Sequence, residues 1–193
     1  MNRVVRSCLI AAALASIAAG SAAVEVSGIK LDDHVTVSGV PLVLNGAGLR
    51  TKLMLKIYVV ALYLPSRTTS ADAVINGNNQ LRRVRLVLKR ALGADTIWDA
   101  FDEGIKANNS AAELAALKPK LDQIEKLFKE FGDVAEGDAI DIDFTATGDT
   151  SVAFKGQSKG SIAGPDLQRA LLKIWLGKHP VQEDVKKALL KGK

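Results

Sequence analysis

The stretch LNGAGLRTKLMLKIYVVALYLP, residues 44–65, is the most apolar part of the chain after its first residues. Its second half is rich in Val, Ile and Tyr and stops at Pro65, which reads as a long, largely buried strand. Within it Tyr58, Val60 and Leu62 are expected to point one way, and Ile57, Val59, Ala61 and Tyr63 the other. Gly46 and Gly48 read as a turn or bulge that bends the chain before this strand. They do not open a dinucleotide loop: the third glycine of GxGxxG would fall on Thr51, and a strand follows where a helix N-terminus would have to hold phosphate.

Outward from that strand, residues 25–44 give two compact strand signals separated by a turn, with Gly39 and Pro41 as breakers. A short helix is expected around Ala71–Ile75. LRRVRLVLKR, residues 81–90, alternates as an antiparallel strand, with Val84, Leu86 and Leu88 on one side and Arg83, Arg85 and Val87 on a solvated face. Ile97, Trp98, Phe101 and Ile105 predict a helix over 95–107 behind an Asp95 cap. A second helix covers about 110–131, with Leu114, Leu117, Leu121, Ile124, Leu127, Phe128 and Phe131 on its apolar side and Pro119 expected to kink or divide it. Residues 138–148 return to a strand and turn at GDT into a hairpin. Helices close the chain over 165–176 and about 181–191. The order predicts one α+β domain over residues 24–193, an antiparallel sheet with a layer of helices packed on it.

The first 23 residues, MNRVVRSCLIAAALASIAAGSAA, read differently. Arg3 and Arg6 precede a short apolar run, and Ser21 and Ala23 stand at −3 and −1 of a cleavage site before Val24, the pattern of a secretory signal. The run is shorter than the roughly 20 residues of a membrane anchor, and Arg6 and the run that follows make Cys8 a poor lipid-attachment site. Removing 23 of 193 residues, two arginines among them, leaves 170 residues with 24 basic and 21 acidic groups. The mature chain is therefore expected in the periplasm or outside the cell, without a cysteine, a disulfide or a second apolar run long enough to span a membrane. A surplus near +3 is no nucleic-acid footprint. One Cys and two His in the full chain exclude a Cys-x-x-Cys zinc site and a His-rich metal site, and no cofactor motif is present.

Little conventional chemistry remains. Asp141 and Asp143 share a strand face and could serve as an acid–base or cation-binding pair, although exposed alternation is the commoner meaning. Ser151, Ser158 and Ser161 lack a G-x-S-x-G elbow. His34 and His179 read as solvated or structural, and Trp98, Phe101 and Trp175 as core residues on helix faces. Arg50 is the odd residue: at the entrance to the most apolar strand, its guanidinium must reach water or meet an anion. Tyr58, at even spacing from it, places a hydroxyl in a buried run. Together they could present a forked donor and a hydroxyl to one carboxylate; the alternative is a surface arginine and a core tyrosine bonded to backbone.

NGAGLRTKLMLKIYVVALYLP resembles the opening strand region of the chalcone isomerase-like superfamily, and KGSIAGPDLQRALLKIWLGKHPVQEDVKKALL resembles the C-terminal helices of its secreted bacterial branch. The resemblance implies a ligand cleft between the sheet and its helices, and either flavonoid-forming isomerase activity or non-catalytic fatty-acid binding. It places Arg50 on the arginine that polarises the chalcone ketone in the enzymes and meets a carboxylate in the fatty-acid binders. Tyr58 falls where those binders have tyrosine. On the helix where the plant enzymes carry a tyrosine and an asparagine, this chain has Trp98 and Phe101, which would line the cleft instead. The expected function is binding of a small amphipathic carboxylate, a fatty acid or a flat, haem-like anion. The alternative is an isomerase of chalcone-like unsaturated ketones in which Arg50 stabilises the oxyanion.

Overall fold

In the computed structural model, which describes residues 23–77, 79–130 and 132–192, the second half of the stretch 44–65 forms the expected buried strand, and its first half is the other arm of a hairpin with it. The chain begins with β1 (Ala23–Val26), β2 (Ile29–Asp32) and β3 (His34–Val37), three short strands where two were expected. The hairpin arms are β4 (Val40–Lys52) and β5 (Leu55–Leu64). Then follow α1 (Ala71–Asn76), β6 (Arg82–Leu88), α2 (Ala94–Asn108), α3 (Ala111–Lys129), β7 (Ala139–Phe144), β8 (Asp149–Phe154), β9 (Gln157–Ala163), α4 (Pro165–Leu176) and α5 (Glu183–Leu189). The residues carrying most of the export pattern, 1–22, lie outside the described residues, as does Phe131.

Strands β3 to β9 form one antiparallel sheet in sequence order, and β1 and β2 pair separately. Alternation along β5 buries both faces of that strand. Val60, Leu62, Val84, Leu86, Ile140 and Ile142 meet the helices, where Phe101 and Ile105 of α2, Ile124 and Phe128 of α3 and Trp175 of α4 complete the main core. On the opposite face Leu42, Leu44, Val59, Ala61 and Tyr63 pack with Leu31 of β2.

Two irregularities in the β4–β5 ladder set the geometry of the site. Leu44 pairs with Tyr63 and Gly46 with Leu62, so Asn45 is extra; Arg50 pairs with Tyr58 and Thr51 with Lys56, so Ile57 is extra. Each bulge reverses the alternation of the strand that carries it. Between them Gly46, Gly48 and Arg50 face the helix side with Leu62, Val60 and Tyr58. Asn45 is buried, and its side chain donates to the Leu189 carbonyl at 2.7 Å and accepts from the Thr68 N–H at 2.7 Å.

The glycines are not a bend before the strand. They lie within β4 because α5 crosses it: a Cβ on Gly46 would stand 2.1 Å from the Ala188 carbonyl oxygen, and one on Gly48 would stand 3.0 Å from the Ala188 Cβ. Gly46→Val should therefore push α5 off the sheet and cost about 1–3 kcal/mol, as overpacking does. A denaturation midpoint equal to wild type would contradict that packing.

The helix ends correct two further expectations. The cap of α2 is Gly93, with Asp95 inside the first turn, where its carboxylate suits the dipole. Pro119 neither ends nor divides α3, which starts with a reciprocal Ser110–Glu113 cap and runs through to Lys129. Strand β9 was not anticipated: of its seven residues only Ile162 is buried.

Candidate functional site

Arg50 and Tyr58 are brought together by strand pairing. They are direct partners across the β4–β5 ladder, eight residues apart in sequence but opposite one another on the helix-facing side. Their side chains open on a cavity of about 500 Å³ between the end of the sheet, α2 and the segment leading into α5. Its buried interior is apolar, from Leu86, Leu88 and Ile140 on the sheet to Phe101 and Ile174 on the helices. Lys52, Thr96, Asp99, Glu103 and His179 are its exposed charged and polar lining residues. Ile57 also lines the cavity, although simple alternation put it on the other face; the bulge turns it toward Tyr58.

The two polar groups are held differently. Arg50 is half-buried, and its Nη1 donates to the Thr51 carbonyl at 2.5 Å and to Gln182 Oε1 at 3.4 Å. The same Gln182 oxygen accepts the Thr51 backbone N–H at 3.0 Å, which fastens β4 to the segment before α5. Among the described residues Arg50 pairs with no carboxylate. The Trp175 indole N–H donates to the Tyr58 hydroxyl at 3.1 Å. Burial pushes the Tyr58 hydroxyl up from its ordinary value, while the Trp175 N–H and the Arg50 charge oppose that shift. Tyr58 is therefore a neutral phenol whose oxygen is already occupied as an acceptor, so its own proton is available to donate. An arginine fork beside a hydroxyl donor, above an apolar void, matches a carboxylate with a hydrocarbon body.

The other candidates fall elsewhere. Phe101 lines the cavity and meets Trp175 edge to face at 5.5 Å. Trp98 does not line it: that side of α2 turns toward α3, where Trp98 lies 6.4 Å from the Phe128 ring. Asp141 and Asp143 are on the opposite side of the sheet, and each is bound through both oxygens, Asp141 by Arg85 at 2.7 and 2.8 Å and Asp143 by Arg83 at 2.6 and 2.8 Å. The arginine face is therefore a cross-strand ion-pair ladder, only 15% exposed at Arg83 and 29% at Arg85, and not a solvated face. Hydrogen bonds to those carboxylates raise both guanidinium groups above their ordinary range. No cluster of His, Cys, Asp and Glu able to hold a metal ion occurs among the described residues. His34 is exposed and lies 3.3 Å from Asp33.

The chalcone isomerase-like family model matches residues 23–191. The chain belongs to that family. A fatty-acid binding protein from Arabidopsis thaliana is structurally similar to this chalcone isomerase-like chain, with a TM-score of 0.70 and 18% identity over 88% of this chain and 96% of that one. At that identity the likeness is one of fold. No curated protein matches the sequence.

Two residues that hold the cavity's polar pair in this chalcone isomerase-like chain, and one buried arginine apart from the cavity, are not legible in the sequence. Trp175 read as core, although a buried indole N–H needs an acceptor and Tyr58 needed a partner, two halves of one signal. Gln182 carried no signal, since its partners lie more than 130 residues away. Arg82, next to Arg83 and Arg85 in sequence, is buried on the helix side. It donates to the Val74 carbonyl at 2.5 Å and Gln168 Oε1 at 2.7 Å, and desolvation lowers it to about 10.

Proposed function

We propose that this chalcone isomerase-like protein is an exported, non-catalytic binder of an amphipathic carboxylate, a fatty acid or a molecule of similar shape. The carboxylate sits on Arg50 and Tyr58, and the hydrocarbon chain enters the apolar cavity. The observation that carries the reading is an arginine without a carboxylate partner among the described residues, beside a phenol whose proton is available to donate, at a cavity of about 500 Å³. That volume lies within the roughly 300–1,000 Å³ typical of small-ligand sites. The fold likeness to a protein described as binding fatty acids adds support. The signal pattern in residues 1–23 supports export, a periplasmic or extracellular address and a place in the secreted bacterial branch.

Extraction of protein purified without added lipid, followed by mass spectrometry, is expected to release a fatty acid. Added to delipidated protein at 100 times its dissociation constant, that ligand should stabilise the fold by about 2.7 kcal/mol. For a domain of this size the melting temperature should rise by about 5–10 °C. An empty cavity together with no thermal shift for any fatty acid overturns the reading. An absorbance titration separates a haem-like ligand from a lipid. Loss of chalcone absorbance above the buffer rate, abolished by Arg50→Ala, would establish the isomerase instead.

A further inference from the structure

The turn between β4 and β5 carries a conflict that the cavity does not explain. Leu53 and Met54 are its two central residues, both with positive φ, 49° and 66°. A two-residue hairpin loop of this kind favours Asn-Gly, because bulky side chains are strained there. Instead it holds two large apolar residues that are 88% and 99% exposed, followed by Leu55 at 51%. Such a tip gives up backbone comfort and solubility together.

Its surroundings say what it meets. Lys52 and Lys56 flank it on the two arms, both exposed. Lys52 lies 3.8 Å from Glu103 of α2, and Lys56 has no ion pair among the described residues. Apolar side chains at a protruding tip with lysines directly behind them fit a lipid surface with anionic headgroups: the apolar groups enter the acyl boundary and the ammonium groups stay at headgroup level. No described helix is long and apolar enough to cross a membrane, so contact through this tip would be peripheral. The tip is also continuous with the cavity, since Arg50 and Lys52 on one arm and Ile57 on the other line it.

We infer that the Leu53–Met54 tip docks this protein on an anionic lipid surface and holds the cavity beside the membrane from which an amphipathic carboxylate is loaded. The loading step rests on the fatty-acid reading above; the docking does not. The test is co-sedimentation with phosphatidylcholine vesicles with and without phosphatidylglycerol. It is run for wild type, Leu53→Asn/Met54→Gly and Lys56→Glu, with melting temperature and solution fatty-acid affinity measured on each.

Wild type should bind the anionic vesicles and lose binding as salt rises. Leu53→Asn/Met54→Gly should bind them at least about tenfold more weakly, since burying one large apolar side chain is worth about that factor. It should melt no lower than wild type, because Asn-Gly suits the turn, and its fatty-acid affinity should be unchanged. Lys56→Glu should lose the preference for phosphatidylglycerol. Equal vesicle binding by wild type and the tip variant overturns the docking, as does no binding by wild type. So does a concentration-dependent dimer of wild type that the tip variant abolishes without any effect on vesicles, which would make the tip a contact between copies of this chain. Vesicle binding without fatty-acid binding in any variant keeps the dock and removes the loading step together with the proposed function.

Discussion

Arg50→Ala should weaken fatty-acid binding by about tenfold to a hundredfold while leaving the melting temperature of the free protein nearly unchanged. Charge-assisted hydrogen bonds to a desolvated carboxylate are worth about 1.5–3 kcal/mol, which sets the range. The free protein loses little because the guanidinium is half-buried and its hydrogen bonds are to the Thr51 carbonyl, to Gln182 at 3.4 Å and weakly to Tyr58. Arg50→Lys should not rescue binding, since lysine keeps the charge but lacks the planar fork. Tyr58→Phe separates the hydroxyl from the ring: it removes one neutral donor and also leaves the Trp175 N–H without its acceptor. That variant should lose less affinity than Arg50→Ala but more stability, by about 1–3 kcal/mol for the orphaned donor. Titration of delipidated proteins with the extracted ligand decides the matter. Equal affinities across all four proteins would remove the assigned site and leave the fold untouched.

The largest loss of stability is expected on the other face. Asp141→Ala strands Arg85, which loses both of its hydrogen bonds, beside Arg83, whose Nη1 lies 3.7 Å from the same carboxylate. Breaking a buried pair from one side costs about 3–5 kcal/mol. Asp141 is 5% exposed but the Arg85 side chain is 29% exposed, so water recovers part of the loss and the lower end applies. About 3 kcal/mol corresponds to a fall of about 6–12 °C in melting temperature for a domain of this length. Asp141→Leu/Arg85→Leu should recover most of it, because two apolar groups leave no stranded charge. Fatty-acid affinity should be the same in both, since the ladder lies across the sheet from the cavity. A melting temperature for Asp141→Ala within a degree of wild type would show that the ladder is as weak as an exposed surface pair.

These residues show what could be read from the chain alone and what could not. Alternation at Val84, Leu86 and Leu88 and the helical spacing behind Pro165 reported local periodicity, and both elements formed where that periodicity put them. The split of residues 44–65 was hidden because Leu-Met carries none of the Gly, Asn or Asp that announce a hairpin. Strand β9 was hidden because an edge strand reading Gln-Ser-Lys-Gly-Ser has almost nothing to bury. Arg83 and Arg85 looked solvated because their partners sit about 60 residues on, in a strand whose neighbour no local pattern names. Even spacing pairs Arg50 with Tyr58 as two residues along one strand. They meet as two residues across a turn, and the bulge at Ile57 sets their register.

Most ladders of the sheet join strands close in sequence, and even β6 with β7 spans only about 60 residues. The hydrogen bonds that tie β4 to the C-terminal segment are the opposite: Thr51 to Gln182 spans 131 residues and Asn45 to Leu189 spans 144. In a chain made from its N-terminus, the strands that carry Arg50 and Tyr58 exist long before Gln182 arrives to steady that edge. The loop-closure entropy of the whole domain falls on this last clasp. Order of synthesis therefore leaves the binding site to be completed late, when the segment from His179 to Gln182 gives the cavity its wall.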